Sequence, residues 1–111
     1  MITVVAFVLA AGTLALARSY VIELLNSRRF PTGTLTVNTS GSLAAAVLLS
    51  RVPASWATVT AFAALGAFTT FSTFAVEVAA LWDDKRRGTA AAYVLATTLT
   101  AVGAAFIGLG L

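Results

Sequence analysis

Few side chains in this 111-residue sequence can do chemistry. It holds no cysteine and no histidine, and only four acids against seven bases. That removes disulfides, thiolate catalysis, haem and most zinc sites, and four acids spread over three segments do not build a carboxylate metal cage. No nucleophile–base pair and no cofactor motif is visible, which speaks against an enzyme. What stands out is residues 66–74, Gly-Ala-Phe-Thr-Thr-Phe-Ser-Thr-Phe, where phenylalanines and hydroxyls interleave behind a glycine inside a long apolar run. Hydroxyls donate and accept hydrogen bonds. A benzyl ring has an electronegative face and an electropositive edge, so a ring turned edge-on attracts an anion weakly without offering water a strong site. The segment is either the buried strand of a soluble β protein or a place in a membrane where something polar passes.

Composition decides for the membrane. The chain is 59% hydrophobic and 10% charged, with a mean hydropathy of +0.96. A soluble domain carries roughly a quarter charged residues, and a short chain has proportionally more surface to cover. The net charge of +3 invites a nucleic-acid reading. The bases, however, form no stripe with interleaved aromatics; they sit at the ends of apolar runs.

Those ends divide the chain into one four-span domain over residues 1–111, with spans at about 1–25, 33–50, 54–82 and 88–111. Arg28, Arg29 and Pro31 separate the first pair, Arg51 and Pro53 the second, and Asp83-Asp84-Lys85-Arg86-Arg87 the third. Short polar connections predict antiparallel neighbours in an all-α bundle. Ala15-Leu16-Ala17 resembles a signal-peptide cleavage site, but no base precedes it and the apolar pattern runs on to Leu25. The third span is too long. As a straight helix its 29 or so residues would extend about 43 Å at 1.5 Å per residue, beyond a hydrocarbon core of about 30 Å. A break in the middle, at Gly66 and the paired hydroxyl residues that follow it, would absorb the excess. Irregular backbone at membrane depth is tolerated only where protein buries it or a wet cavity lines it, and the carbonyls it frees are ready ion ligands.

Helical spacing sorts the polar residues onto faces. Thr34, Asn38, Ser42 and Ala45 share a stripe on the second span. Thr70, Thr73 and Glu77 form a hydroxyl-and-acid face on the third, beside an aromatic face of Phe68, Phe71 and Phe74. Tyr93, Thr97, Ala101, Ala104 and Gly108 line the fourth. Two readings stand. Small and hydroxyl residues are the usual glue of packed membrane helices, and the phenylalanines can be ordinary core or lipid-facing rings. Alternatively, three polar stripes with an asparagine and an intramembrane acid make a polar pathway, since ionisable groups at that depth are functional suspects. Arg18 and Glu23 lie near the end of the first span, where snorkelling places charged heads at the interface. Glu77 lies deeper.

The chain resembles the fluoride channel family, small four-span proteins known as Fluc or CrcB channels. The resemblance covers nearly the whole chain: Ala-Arg-Ser-Tyr at 17–20, Gly-Thr-Leu-Thr-Val-Asn-Thr-Ser-Gly-Ser at 33–42, the 66–74 segment followed by Glu77, and Tyr93 with Thr97. It implies an antiparallel, dual-topology dimer in the cytoplasmic membrane that passes fluoride passively down its gradient and so limits fluoride toxicity. Phe71 and Phe74 are then the ring pair along each pore. Asn38 donates its amide to the ion, and Ser42, Thr70, Thr73, Tyr93 and Thr97 line a hydroxyl track. Glu77 stands beside that track, and Arg18 is the vestibule arginine. A structural Na+ at the dimer centre is implied on the backbone carbonyls of Gly66 and Thr69. The partners implied are fluoride, membrane lipid and a homologous antiparallel subunit, with no nucleic acid.

Two positions depart from the family pattern. Ala67 replaces the second glycine of the third-span motif, and Ala101 stands one turn after Thr97 where a serine often continues the track. Charge adds a third peculiarity. Arg28, Arg29, Lys85, Arg86 and Arg87 fall on one side and Arg51 alone on the other, so the positive-inside rule puts both termini outside. One orientation cannot supply both halves of an antiparallel dimer. The expectation is therefore a heterodimer with an oppositely inserted homologue, against a dual-topology homodimer. A small multidrug-resistance transporter is a rival of similar size, but it needs an acid deep in its first span. A structural helical subunit is the other rival, with the stripes acting as glue.

Overall fold

The computed structural model describes residues 1–111. All of its regular structure is helical: α1 (Ile2–Leu25), α2 (Thr32–Leu49), a 3-10 turn (Ala54–Trp56), π-helical turns (Val59–Leu65), α3 (Gly66–Phe68), α4 (Phe71–Asp83) and α5 (Arg87–Gly110). The soluble β reading of the phenylalanine segment is excluded. Each turn between long helices has a local cause. Asn26 leaves α1 in extended backbone, φ −68° and ψ 136°. Pro31 fixes the approach to α2, and Pro53 the approach to the third span. Lys85, at φ 61°, turns the chain between α4 and α5 through the left-handed region that few side chains adopt.

The ends of the bundle are tied by arginine. Arg86 donates to the carbonyl of Arg28 at 2.5 Å and also to that of Arg29, joining the α1–α2 and α4–α5 connections. At the opposite end Arg51 donates to the Leu111 carbonyl at 2.6 Å. Arg28, Arg29, Lys85, Arg86 and Arg87 thus gather at one end and Arg51 sits at the other. The long extent of the bundle, 49 Å, matches the roughly 40–45 Å of a bilayer with its headgroups.

Three stretches are long and apolar enough to cross a membrane: Ile2–Leu25, Ala54–Asp83 and Arg87–Gly110. The second of the four expected spans, α2, is a helix of 18 residues that falls outside this set. α2 carries too many hydroxyls, and it compensates by being enclosed, with Gly33, Thr34, Val37 and Gly41 buried. It packs chiefly against α5, while α1 lies along the π-helical turns, α2 and α3. Close approach of α2 and α5 depends on Gly108. A Cβ there would stand 2.7 Å from the Ala46 Cβ and 2.9 Å from the Leu43 carbonyl. Outward-facing leucines, valines and isoleucines of α1 and α5 stay exposed, as lipid contact requires. The protein is a multi-pass membrane protein.

The third span is broken as expected, at the hydroxyl pair and not at Gly66 itself. That residue keeps regular helical backbone, φ −64° and ψ −35°. Thr69 (φ −82°, ψ 160°) and Thr70 (φ −149°, ψ 117°) are the extended pair that interrupts the helix. A glycine supplies conformational freedom, whereas a break within a membrane forms where replacement hydrogen bonds exist. β-Branched residues are at ease in extended backbone, and the partners for this break come from a side chain on α2.

Candidate functional site

Asn38 is that side chain. Its Oδ1 accepts from the Thr70 N–H at 2.8 Å and its Nδ2 donates to the Thr70 carbonyl at 3.0 Å. One amide thus replaces both backbone bonds that Thr70 lost on leaving the helix. Thr70 then caps α4, its Oγ1 accepting from the Thr73 N–H at 3.2 Å and donating to Thr73 Oγ1 at 2.9 Å. Gly41, one turn after Asn38, lets the break come in against α2; a Cβ there would collide with the Thr69 methyl. From the other side Arg18 donates to the Ala67 carbonyl at 3.2 Å. Arg18 therefore does not snorkel to the interface. The interrupted ladder leaves Ala67 with a carbonyl that needs a donor, and the guanidinium turns inward to it.

Beside the break lies a cleft of about 330 Å³, lined by Asn38, Ser42, Thr70, Phe71, Phe74 and Thr97 among others. These six come from α2, the break and first turn of α4, and α5, and the sequence expectation named all of them. The rings of Phe71 and Phe74 stand 5.9 Å apart at 52° to one another. Phe71 is 79% exposed. Thr97 is 7% exposed, and its Oγ1 is a buried side-chain oxygen without a hydrogen-bond partner. Such a group costs about 1–3 kcal/mol when left unsatisfied. Ala101 and Val102 also line this wall, so the hydroxyl series on α5 stops at Thr97 and Thr98. The α5 stripe divides by role, because Gly108 beyond it serves close packing.

Tyr93 and Glu77 belong to a second cluster. Tyr93, fully buried, donates its hydroxyl to Glu77 Oε1 at 3.1 Å. The other carboxylate oxygen accepts from Asn26 Nδ2 at 2.6 Å. Asn26 Oδ1 in turn accepts from the N–H of Thr34, which is also fully buried. Glu77 borders another cavity, of about 420 Å³, whose walls include Ser27, Arg28, Phe30 and Arg86. A run of rings connects the two clusters. Phe74 lies 5.1 Å from Tyr93, and Tyr93 meets Phe30 edge to face at 5.3 Å and 80°.

Sequence reasoning passed over Asn26 and Phe30. Asn26 had a readable signal: Pro31, at the start of α2, has no side-chain oxygen to cap that helix, so the cap must come from elsewhere. Phe30 had none, because only the bundle sets it against Tyr93. As for cations, no group of three His, Cys, Asp or Glu residues gathers anywhere. At the break, Thr69 gives both its N–H and its hydroxyl to the Leu65 carbonyl, each at 3.0 Å, and its own carbonyl receives no backbone N–H.

The model of the family described as "CrcB-like protein, Camphor Resistance (CrcB)" matches residues 3–109 of the sequence. The chain belongs to the CrcB family. Among its relatives is a protein of Haloarcula marismortui named fluoride-specific ion channel FluC 2, 40% identical over 107 residues, covering 92% of this chain and 84% of that one. A Paracoccus denitrificans protein named fluoride-specific ion channel FluC is 38% identical over 105 residues, covering 88% and 85%. One of the same name from Vibrio cholerae is 36% identical over 115 residues, covering 95% and 91%. The CrcB match spans both the cleft and the Glu77 cluster, and its residues include all four long helical segments.

Proposed function

We infer that this chain is a subunit of a passive fluoride channel of the cytoplasmic membrane, and not an enzyme. The observation that carries the reading is Thr97: a buried hydroxyl without a partner lines the same cleft as the Asn38 amide and the Phe71–Phe74 pair. Fluoride is small and strongly hydrated, so it enters a narrow path only where donors replace its water. Thr97 and Ser42 offer hydroxyls, Asn38 keeps one amide hydrogen beyond its bond to Thr70, and ring edges add weak positive ends. All are neutral. Conduction needs binding strong enough to admit the ion and weak enough to release it, and neutral donors meet that better than a buried cation.

The cleft is incomplete in one subunit. The exposure of Phe71 supports a second subunit closing it, inserted antiparallel. A structural Na+ between the two subunits, held by the carbonyls of Gly66 and Thr69, belongs to the same reading. The extended backbone at Thr69 and its carbonyl without a backbone donor fit that role. Such an ion would neutralise the freed carbonyls where two breaks cross. The one-sided collection of bases supports an oppositely inserted homologue as the partner, rather than a second copy.

The test is efflux from liposomes loaded with fluoride or chloride, followed with ion-selective electrodes. Fluoride released down its gradient, chloride retained, and fluoride efflux lost in Phe71→Ile are the expected results. Chloride released as fast as fluoride, or Phe71→Ile efflux at the unsubstituted rate, would overturn the reading. Comparing the chain alone with the chain co-expressed with a homologue separates the dimer types: equal rates exclude the heterodimer.

A further inference from the structure

We propose that Asn26 is a positioning residue of the ion pathway, its amide holding the Glu77 carboxylate against Tyr93 at the border of the cavity at the bundle end. The inference rests on the channel reading above. Glu77 is the one acid within the hydrophobic part of α4, and both of its oxygens are held by neutral donors: Oε2 by Asn26 Nδ2 at 2.6 Å and Oε1 by the Tyr93 hydroxyl at 3.1 Å. A carboxylate held by two short contacts from different helices has one orientation. Without the Asn26 donor only Tyr93 would restrain it, and the cavity that Glu77 borders is lined by Arg28 and Arg86 together with one other acid, Asp84. An acid released from Asn26 would turn towards those cations, into the mouth of the path that the rings of Phe30, Tyr93 and Phe74 continue inward.

Asn26 is built for the task. Its backbone is anchored, with its N–H on the Ile22 carbonyl at 2.9 Å. Its Oδ1 is fixed by the Thr34 N–H at 3.1 Å, which sets the amide so that Nδ2 faces the acid. Nδ2 also lies 3.5 Å from Thr34 Oγ1. The corner has no slack: a Cβ on Gly33 would lie 2.9 Å from Asn26 Oδ1 and 2.7 Å from the Ile22 Cα. Asn26 thus joins the end of α1, the start of α2 and the middle of α4.

Two functions of Asn26 must be separated, capping α2 and orienting Glu77. Asn26→Asp keeps an oxygen for the Thr34 N–H but loses the donor to Glu77 and sets a second acid against it. Combined with Glu77→Gln it restores a donor–acceptor pair with the polarity reversed. In the liposome assay, with rates normalised to folded protein, Asn26→Asp should slow fluoride efflux about tenfold or more, the scale of one lost charge-assisted hydrogen bond. In the Glu77→Gln background the same change should slow it less than about threefold. An equal fractional effect in both backgrounds, or none in either, overturns the proposal. Melting temperatures of the four proteins in detergent supply a readout independent of flux: Asn26→Asp should lower the value clearly with Glu77 present and little with Glu77→Gln, and equal drops overturn the contact. Should the unsubstituted protein carry no fluoride, the channel reading falls by itself, while the melting cycle still decides whether Asn26 holds Glu77.

Discussion

Replacing Asn38 by leucine tests the broken span at its weakest point. Leucine repeats the branching of asparagine at Cγ with the same number of side-chain heavy atoms, so the space beside the break stays filled, with somewhat more bulk, while both bonds to Thr70 are lost. The Thr70 N–H and carbonyl would then have no partner in a residue only 6% exposed. In soluble proteins each buried unsatisfied group costs about 1–3 kcal/mol, giving roughly 2–6 kcal/mol for the pair. In membrane proteins the average interhelical bond is worth only about 0.6 kcal/mol, because the unfolded reference also finds partners, so the floor is about 1 kcal/mol. The burial of Thr70 puts the expected loss in the upper half of that range. Equilibrium unfolding in mixed detergent measures it, and hydrogen exchange across residues 66–74 should rise in the same variant while α5 stays protected. A loss below about 0.5 kcal/mol, within what surface substitutions do, would refute the argument. The break would then be held by its own backbone and not by the amide.

Thr97→Val should separate stability from function. Since the hydroxyl has no partner, its removal should leave the unfolding free energy unchanged or raise it by about 1 kcal/mol, while fluoride efflux falls. A lower stability would mean that the hydroxyl is already satisfied. Gly108→Ala places a methyl group 2.7 Å from the Ala46 Cβ and 2.9 Å from the Leu43 carbonyl. Overpacking of that kind costs about 1–3 kcal/mol, so the melting temperature should drop by several degrees, and no drop would show that α2 and α5 can move apart freely.

Composition alone determined the solvent. A chain with 10% charged residues cannot clothe itself for water, and its clusters of bases and its two prolines mark where the helices end, because unpaired charge is costly in lipid and proline lacks the N–H a helix needs; Arg18, inside α1, is the exception, paired with the Ala67 carbonyl. Helical periodicity also grouped Asn38 and Thr97 with the polar stripes of their helices and set Phe71 and Phe74 on one aromatic face, since a spacing of three to four residues is a local property of one helix. What periodicity leaves open is which stripe meets which. That Asn38 would meet Thr70, moving the break three residues beyond the glycine, follows from α2 reaching the third span with a donor and an acceptor at that height. That Arg18 would turn inward follows from the carbonyl this break exposes. Asn26 and Glu77 are 51 residues apart, and only the packing of α1, α2, α4 and α5 around one corner brings them within hydrogen-bonding distance. Hydropathy is a sum over each segment and can be read along the chain; hydrogen-bond partners depend on atoms from different segments arriving at the same point, which the folded bundle alone decides.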